Sequence, residues 1–259
     1  MNKLLKNIYI IKFIEYKIIS IVCISILLFI NYNEFLTQIK YSANIYDFII
    51  YIFNNKFFSL YTIPFLFLFN LYIINYKNRF LNIFSRFSNK NDLIHYEIKL
   101  ISKLLIIFIF TIIIISILIT STTLSILPTW SEQSLYTFEF IPRVLKYNPL
   151  CIIFIQLLLF YLYVFTLSIM FIIASNFFKS NLKSILIILI INSVNIGILS
   201  SNNKFIAKYS LACNMMFNMH NLGKIDYYPT VLYSILYFII IIISIKILGT
   251  KLINKIDLC

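Results

Sequence analysis

The residues of this chain that could do chemistry are few and poorly spaced for it. Glu132 and Glu139 are carboxylates of the kind that pair for acid–base work on glycosidic bonds. They stand, however, in a stretch broken by Pro128, Pro142 and Pro149 and followed by Arg143 and Lys146, so they read as solvated loop carboxylates. The two histidines, His95 and His220, are too far apart for an H-E-x-x-H zinc site. Cys23, Cys151, Cys213 and Cys259 fall one to a region, with no C-x-x-C pair, and read as inert. Three glycines, Gly197, Gly223 and Gly249, are too dispersed for a phosphate-binding loop, a dinucleotide fingerprint or a G-x-S-x-G elbow. The chain is therefore expected to be no enzyme, with no catalytic residue, metal or cofactor site of its own, and to take energy from a partner or an ion gradient.

What must position its residues is a membrane. Of 259 residues, 61% are apolar and 12% charged, against roughly half and a quarter in a soluble domain. A span takes about 20 apolar residues, and six runs qualify: 18–37, 57–76, 104–124, 150–173, 184–200 and 229–248. The expected fold is all-α, one polytopic domain over 1–259 with six transmembrane helices. Span one is the weakest, because its clean run from Ile18 to Ile30 ends at Asn31, Asn33 and Glu34. Ahead of it, residues 1–17 mix Leu4, Leu5, Ile8, Ile11 and Ile14 with Lys3, Lys6, Lys12 and Lys17. That pattern predicts a basic amphipathic helix in the membrane interface, too charged for the core of a cleaved signal peptide.

The distribution of lysine and arginine sets the orientation. With six spans, 15 of the 22 basic residues fall on the side of the two termini and 7 on the other. The positive-inside rule then places both termini in the cytoplasm, and the net charge of +13 reads as topology and attraction to anionic lipid rather than as a nucleic-acid footprint.

Four segments could carry mechanism. In the cytoplasmic loop 77–103, Phe80, Ile83, Phe84 and Phe87 share one helical face, with Arg79 and Arg86 opposite. Such a helix lies on the membrane surface or presents an aromatic ridge to a cytosolic partner. The outer loops 121–150 and 201–228 are predicted to hold short or re-entrant elements, with Trp130 an interfacial anchor. Ser193, Gly197 and Ser201 recur every four residues, the small-residue pattern of helix packing or a subunit interface. The polar residues read as lying inside the membrane are Asn70, Asn75, Gln156, Ser168, Asn192, Ser193 and Asn195, and no charge sits at a span's centre, which weighs against an ion-coupled carrier. Pro64 is placed to kink span two.

This layout resembles the permease subunits of type-2 ABC exporters, and in particular the small permeases of low-GC Gram-positive bacteria that accompany bacteriocin or lantibiotic export and self-immunity. The residues carrying the likeness are Tyr76-Lys77-Asn78-Arg79-Phe80, Ser85-Arg86-Phe87-Ser88-Asn89-Lys90 and Tyr96-x-x-Lys99 entering span three. Tyr147-Asn148-Pro149-Leu150 opening span four and the turn Ser175 to Lys183 add to it. The resemblance implies a multi-pass protein of the bacterial plasma membrane, working as a homodimer or with a sister permease. It further implies a coupling helix that docks Phe80, Ile83, Phe84 and Phe87 on a separate cytosolic ATPase, with Arg79 and Arg86 at the rim. ATP and magnesium would then belong to that partner, and the substrate would be a peptide or another amphipathic molecule. The competing reading is an ATP-independent immunity protein that sequesters a toxic peptide at its outer loops.

Overall fold

The computed structural model describes residues 3–80, 90–126, 129–137, 147–200, 204–220 and 229–254. Among them the chain is all-α, with no strand beyond an isolated bridge between Asn44 and Ser125. Five helices are long and apolar enough to cross a membrane, and a sixth crossing is made if a bent pair counts as one span.

The first helix, α1 (Lys3–Gln38), is continuous. The residues expected to form a separate basic helix run into span one without a break. Its buried residues Ile24, Leu28, Tyr32 and Phe35 recur every three or four positions and form one stripe, while Ile19, Ile26, Phe29 and Ile30 face outward.

A second helix that the hydropathy reading left as a loop follows: α2 (Ile45–Asn54). Asn44 and Asp47 start it as a capping box. The Asn44 side chain accepts from the Asp47 N–H at 3.1 Å, and Asp47 accepts from the Asn44 N–H at 2.8 Å. The helix is buried on nearly every side, held by Phe48 against Tyr32 and Phe35 of α1 and by Phe53 against Phe160. It ends at Asn55, and after a bend of 66° the chain resumes through a π-turn, Phe58–Thr62, into α3 (Ile63–Phe80).

The third span lies in α4 (Lys90–Thr120), which begins well before its apolar stretch. A short α5 (Glu132–Thr137) follows, then α6 (Pro149–Phe178). Asn148 caps α6 by accepting from Leu150 N–H at 2.9 Å, with Pro149 in its first turn, where the missing N–H costs nothing. Lys179, in the left-handed region at φ 50°, ends α6, and Ser180 caps α7 (Asn181–Leu199) directly after it. The remaining elements are α8 (Lys204–Ala207), α9 (Leu211–Met215), a 3-10 turn (Phe217–Met219) and α10 (Val231–Asn254).

Helix α6 is the axle of the bundle, contacted by α2, α3, α4, α7, α9 and α10. The chain reversal between α6 and α7 and the ends of α3 and α4 near residues 80 and 90 mark one end of the bundle, here the proximal end. Segments 39–44, 120–126, 129–137 and 204–220 lie toward the opposite, distal end.

Gly249 shows how closely α10 approaches α6. A Cβ there would meet Ile173 of α6, 2.7 Å from its Cγ1 and closer still to its Cδ1. Gly249→Val is expected to destabilise the bundle by about 1–3 kcal/mol through overpacking, and Ile173→Ala in the same chain should recover part of the loss. Thermal unfolding of the detergent-solubilised protein measures both.

Candidate functional site

The break between α2 and α3 originates in one residue. Pro64 has no N–H, so it cannot supply the bond that the Leu60 carbonyl, four residues earlier, would accept in an α-helix. The chain widens there into the π-turn, in which Ile63 N–H donates to Phe58 O, five residues back. Two neighbouring helices reach the Leu60 carbonyl. Asn192 of α7 donates its Nδ2 to it at 2.7 Å, and the hydroxyl of Tyr163 on α6 lies 3.3 Å away while hydrogen-bonding Asn192 Oδ1. Tyr163 and Asn192 are both buried.

The other side of the break is closed by asparagine. Asn55 Oδ1 accepts from Phe58 N–H at 3.2 Å, and its carbonyl takes both the Ser59 N–H at 2.9 Å and the Ser59 hydroxyl at 2.8 Å. Its Nδ2 donates to Asn31 of α1 at 3.3 Å. Gln156 of α6 donates to the Ile50 carbonyl of α2 at 3.3 Å. Asn31 precedes the end of α1 by seven residues and Gln156 follows the start of α6 by seven, so these two lie about 10 Å inside the bundle from its distal end, and Tyr163, a further two turns along α6, lies about 20 Å inside. Two buried acceptors of the belt, Asn54 Oδ1 and Gln156 Oε1, have no hydrogen-bond partner. Apart from the tyrosine the belt is built of amides, hydroxyls and backbone carbonyls, so it can bind polar groups and hinge but has no carboxylate or imidazole for acid–base work.

Above it, a polar latch holds α2 to the distal segments. Asp47, buried, accepts from the Ser131 hydroxyl at 2.5 Å and from the Ser134 hydroxyl. Asn44 Nδ2 donates to Thr129 O at 2.7 Å, and Gln133 Oε1 accepts the N–H groups of Lys40 and Tyr41 at 3.1 and 3.2 Å. Glu132 is exposed and accepts from the Ser42 hydroxyl at 3.0 Å, and Glu139 lies outside the described residues. At the proximal end Glu97 of α4 is buried and accepts from Asn176 of α6 at 3.1 Å.

Of the residues singled out in the sequence, Arg79 and Phe80 close α3, while Ile83, Phe84, Arg86 and Phe87 lie outside the described residues. Ser193 and Gly197 are exposed on α7, with nothing within 4 Å of a Cβ placed at Gly197, and Ser201 lies outside the described residues. The sequence reading recorded Gln156, Asn192 and Pro64 separately and missed that the proline's orphaned carbonyl joins Asn192 to Tyr163. It also missed α2, although Asn44-x-x-Asp47 ahead of an apolar run is a legible helix start. Among the described residues no group of three or more His, Cys, Asp or Glu side chains is placed to hold a metal ion. Comparison of the chain with protein-family models, with curated proteins and with solved structures finds no match.

Asn192→Leu should destabilise the protein by about 1–3 kcal/mol, the cost of leaving a buried carbonyl and hydroxyl short of partners. In a Pro64→Ala background, where residue 64 regains its N–H, the same substitution should cost less. A double-mutant cycle on unfolding free energies measures that coupling.

Proposed function

We propose that this chain is the membrane subunit of an ATP-driven exporter of the type-2 ABC class, acting in the bacterial plasma membrane on a peptide or another amphipathic substrate. In this reading the proximal end is cytoplasmic, with both termini there, and residues 1–17 rest in the interface.

The observation that carries the reading is the shape of the second connection. Helix α4 extends fourteen residues, about 20 Å, ahead of the apolar run that begins at Leu104, and α3 continues to Phe80. The aromatic and basic residues between Phe80 and Lys90 are thus flanked by two helices rather than by slack chain, as a segment transmitting force from a partner would need. The three glycines of the chain are too dispersed for a nucleotide-binding loop, and in this reading ATP and magnesium fall to a separate cytosolic ATPase.

The broken span supports the same reading, because a helix interrupted inside the bundle is a place where two halves can move against each other. The exposed Ser193–Gly197 face of α7, which among the described residues meets nothing at Gly197, suits a second permease, identical or related.

The tagged chain should co-purify with the ATPase encoded beside it. Phe84→Asp should cut that capture at least tenfold while leaving the amount of chain in the membrane unchanged, and should abolish export. Capture and export that survive Phe84→Asp would refute the coupling assignment, and protection from a toxic peptide in cells lacking every such ATPase would favour the sequestering reading.

A further inference from the structure

The distal cap, residues 204–220, meets α10 through a buried chain of polar groups that the function proposed above does not use. His220 Nδ1 lies 2.9 Å from the Met216 carbonyl, and its Nε2 lies 2.9 Å from the Ser234 hydroxyl of α10. That hydroxyl lies 2.7 Å from Asn214 Oδ1. The orientation of the Asn214 amide is fixed, because its Nδ2 donates to the carbonyls of Lys208 and Ser210 at 2.8 and 2.9 Å. His220, Ser234 and Asn214 are all buried.

Counting protons across this chain gives an unequal sum. There are three contacts to fill, from Met216 O to Nδ1, from Nε2 to the hydroxyl, and from the hydroxyl to Asn214 Oδ1. A neutral imidazole and one hydroxyl supply two protons. The Met216 carbonyl, which only accepts, claims the proton on Nδ1. The Ser234 proton then serves either His220 or Asn214, never both. A proton added at Nε2 fills the third contact without moving a heavy atom.

We propose that this cluster is a proton-binding site through which acid releases the distal cap from α10. The added proton finds its hydrogen bond ready, but among the described residues its charge has no counter-ion. The titratable groups on the elements packed around it are Cys213 of α9, Lys208 and Tyr209 of the turn before it, Tyr233 and Tyr237 of α10, and Cys151 at the distal end of α6; Lys208 lies over the Tyr233 ring, 5.0 Å from its centroid. Among the described residues of α6 to α10 there is no carboxylate. Lys224 and Asp226 lie outside the described residues.

Burial accordingly pushes His220 from its ordinary 6.5 down to about 4, against the raising effect of its backbone hydrogen bonds. An opened cap returns the imidazole to water and to its ordinary value. Between those two values the open form binds more protons than the closed form, so closure is strongest above about pH 6.5, weakens by up to tenfold per pH unit as pH falls, and levels off below about 4.

Two measurements test this. With His95→Gln, the chain has a single histidine, and 15N-histidine spectra of the protein in nanodiscs report it directly. The expected result is a neutral ring protonated on Nδ1 at pH 7 that titrates below pH 5; a proton on Nε2, or titration near 6.5, overturns the proposal. This arm needs no substitution within the cluster.

In the second, Cys23, Cys151 and Cys259 are replaced by serine. Buried Cys213, whose thiol burial pushes up to about 11, then reports cap opening through its reaction with a pyridyl disulfide, relative to the denatured chain at each pH. Labelling should rise about tenfold or more from pH 7 to pH 5, stay flat in His220→Gln and keep its rise in Asp226→Asn. A rise that survives His220→Gln, or vanishes with Asp226→Asn, overturns the assignment.

Discussion

Pro64 withholds one hydrogen-bond donor, and much of the bundle's interior is arranged around that missing N–H. Lipid cannot satisfy the Leu60 carbonyl, so protein must. The partners come from α6 and α7, which fixes α3 against both at one level. The same release lets the chain widen into a π-turn and bend, and the bend turns α2 inward, where it packs on α1 and α6. A helix buried that completely must have both ends satisfied. The capping box at Asn44 and Asp47 does this at one end, and Asn55 and Gln156 at the other.

Among the described residues polar cross-links stand at several levels: the distal half carries the belt at the break, the Asp47 latch and the His220 cluster, and toward the proximal end Ser20 bonds Asn70, Ser102 bonds Tyr161 and Asn176 bonds Glu97.

Much of this organisation was legible in the chain before its structure. Long apolar runs show in the sequence that the chain is all-α with five or six helices able to cross a membrane, because in lipid the length of an apolar helix is the dominant constraint. They miss where helices begin, since α4 starts well before the run at 104–124 and the second crossing is a bent pair that starts at Ile45. Which face of each span turns inward was not legible. Ile24 is buried and Ile26 exposed, Ile112 buried and Ile114 exposed, and no polarity difference distinguishes them, since lipid and protein interior are alike apolar. Helix α2 escaped because it is short and shares its neighbourhood with polar residues, and the partners of Asp47, Ser131 and Ser134, stand more than eighty residues away. The His220 cluster escaped because Asn214, His220 and Ser234 gain meaning only when the cap folds back on α10. For the aromatic loop after Phe80, the reading rests on sequence pattern and on the two helices that flank it.

The belt around the break has an electrical consequence. Asn31, Asn55, Ser59, Gln156, Tyr163 and Asn192 are uncharged, and the helix that bends between them carries its one acid, Asp47, at the end bound to the distal segments. A formal charge crossing the membrane would exchange about 2.3 kcal/mol with the transmembrane field for every 100 mV. Rearrangement of the belt's own side chains moves none, but Lys56 stands exposed at the break beside Asn55, so flexing of the broken span carries that ammonium with it and is coupled through it to the membrane voltage.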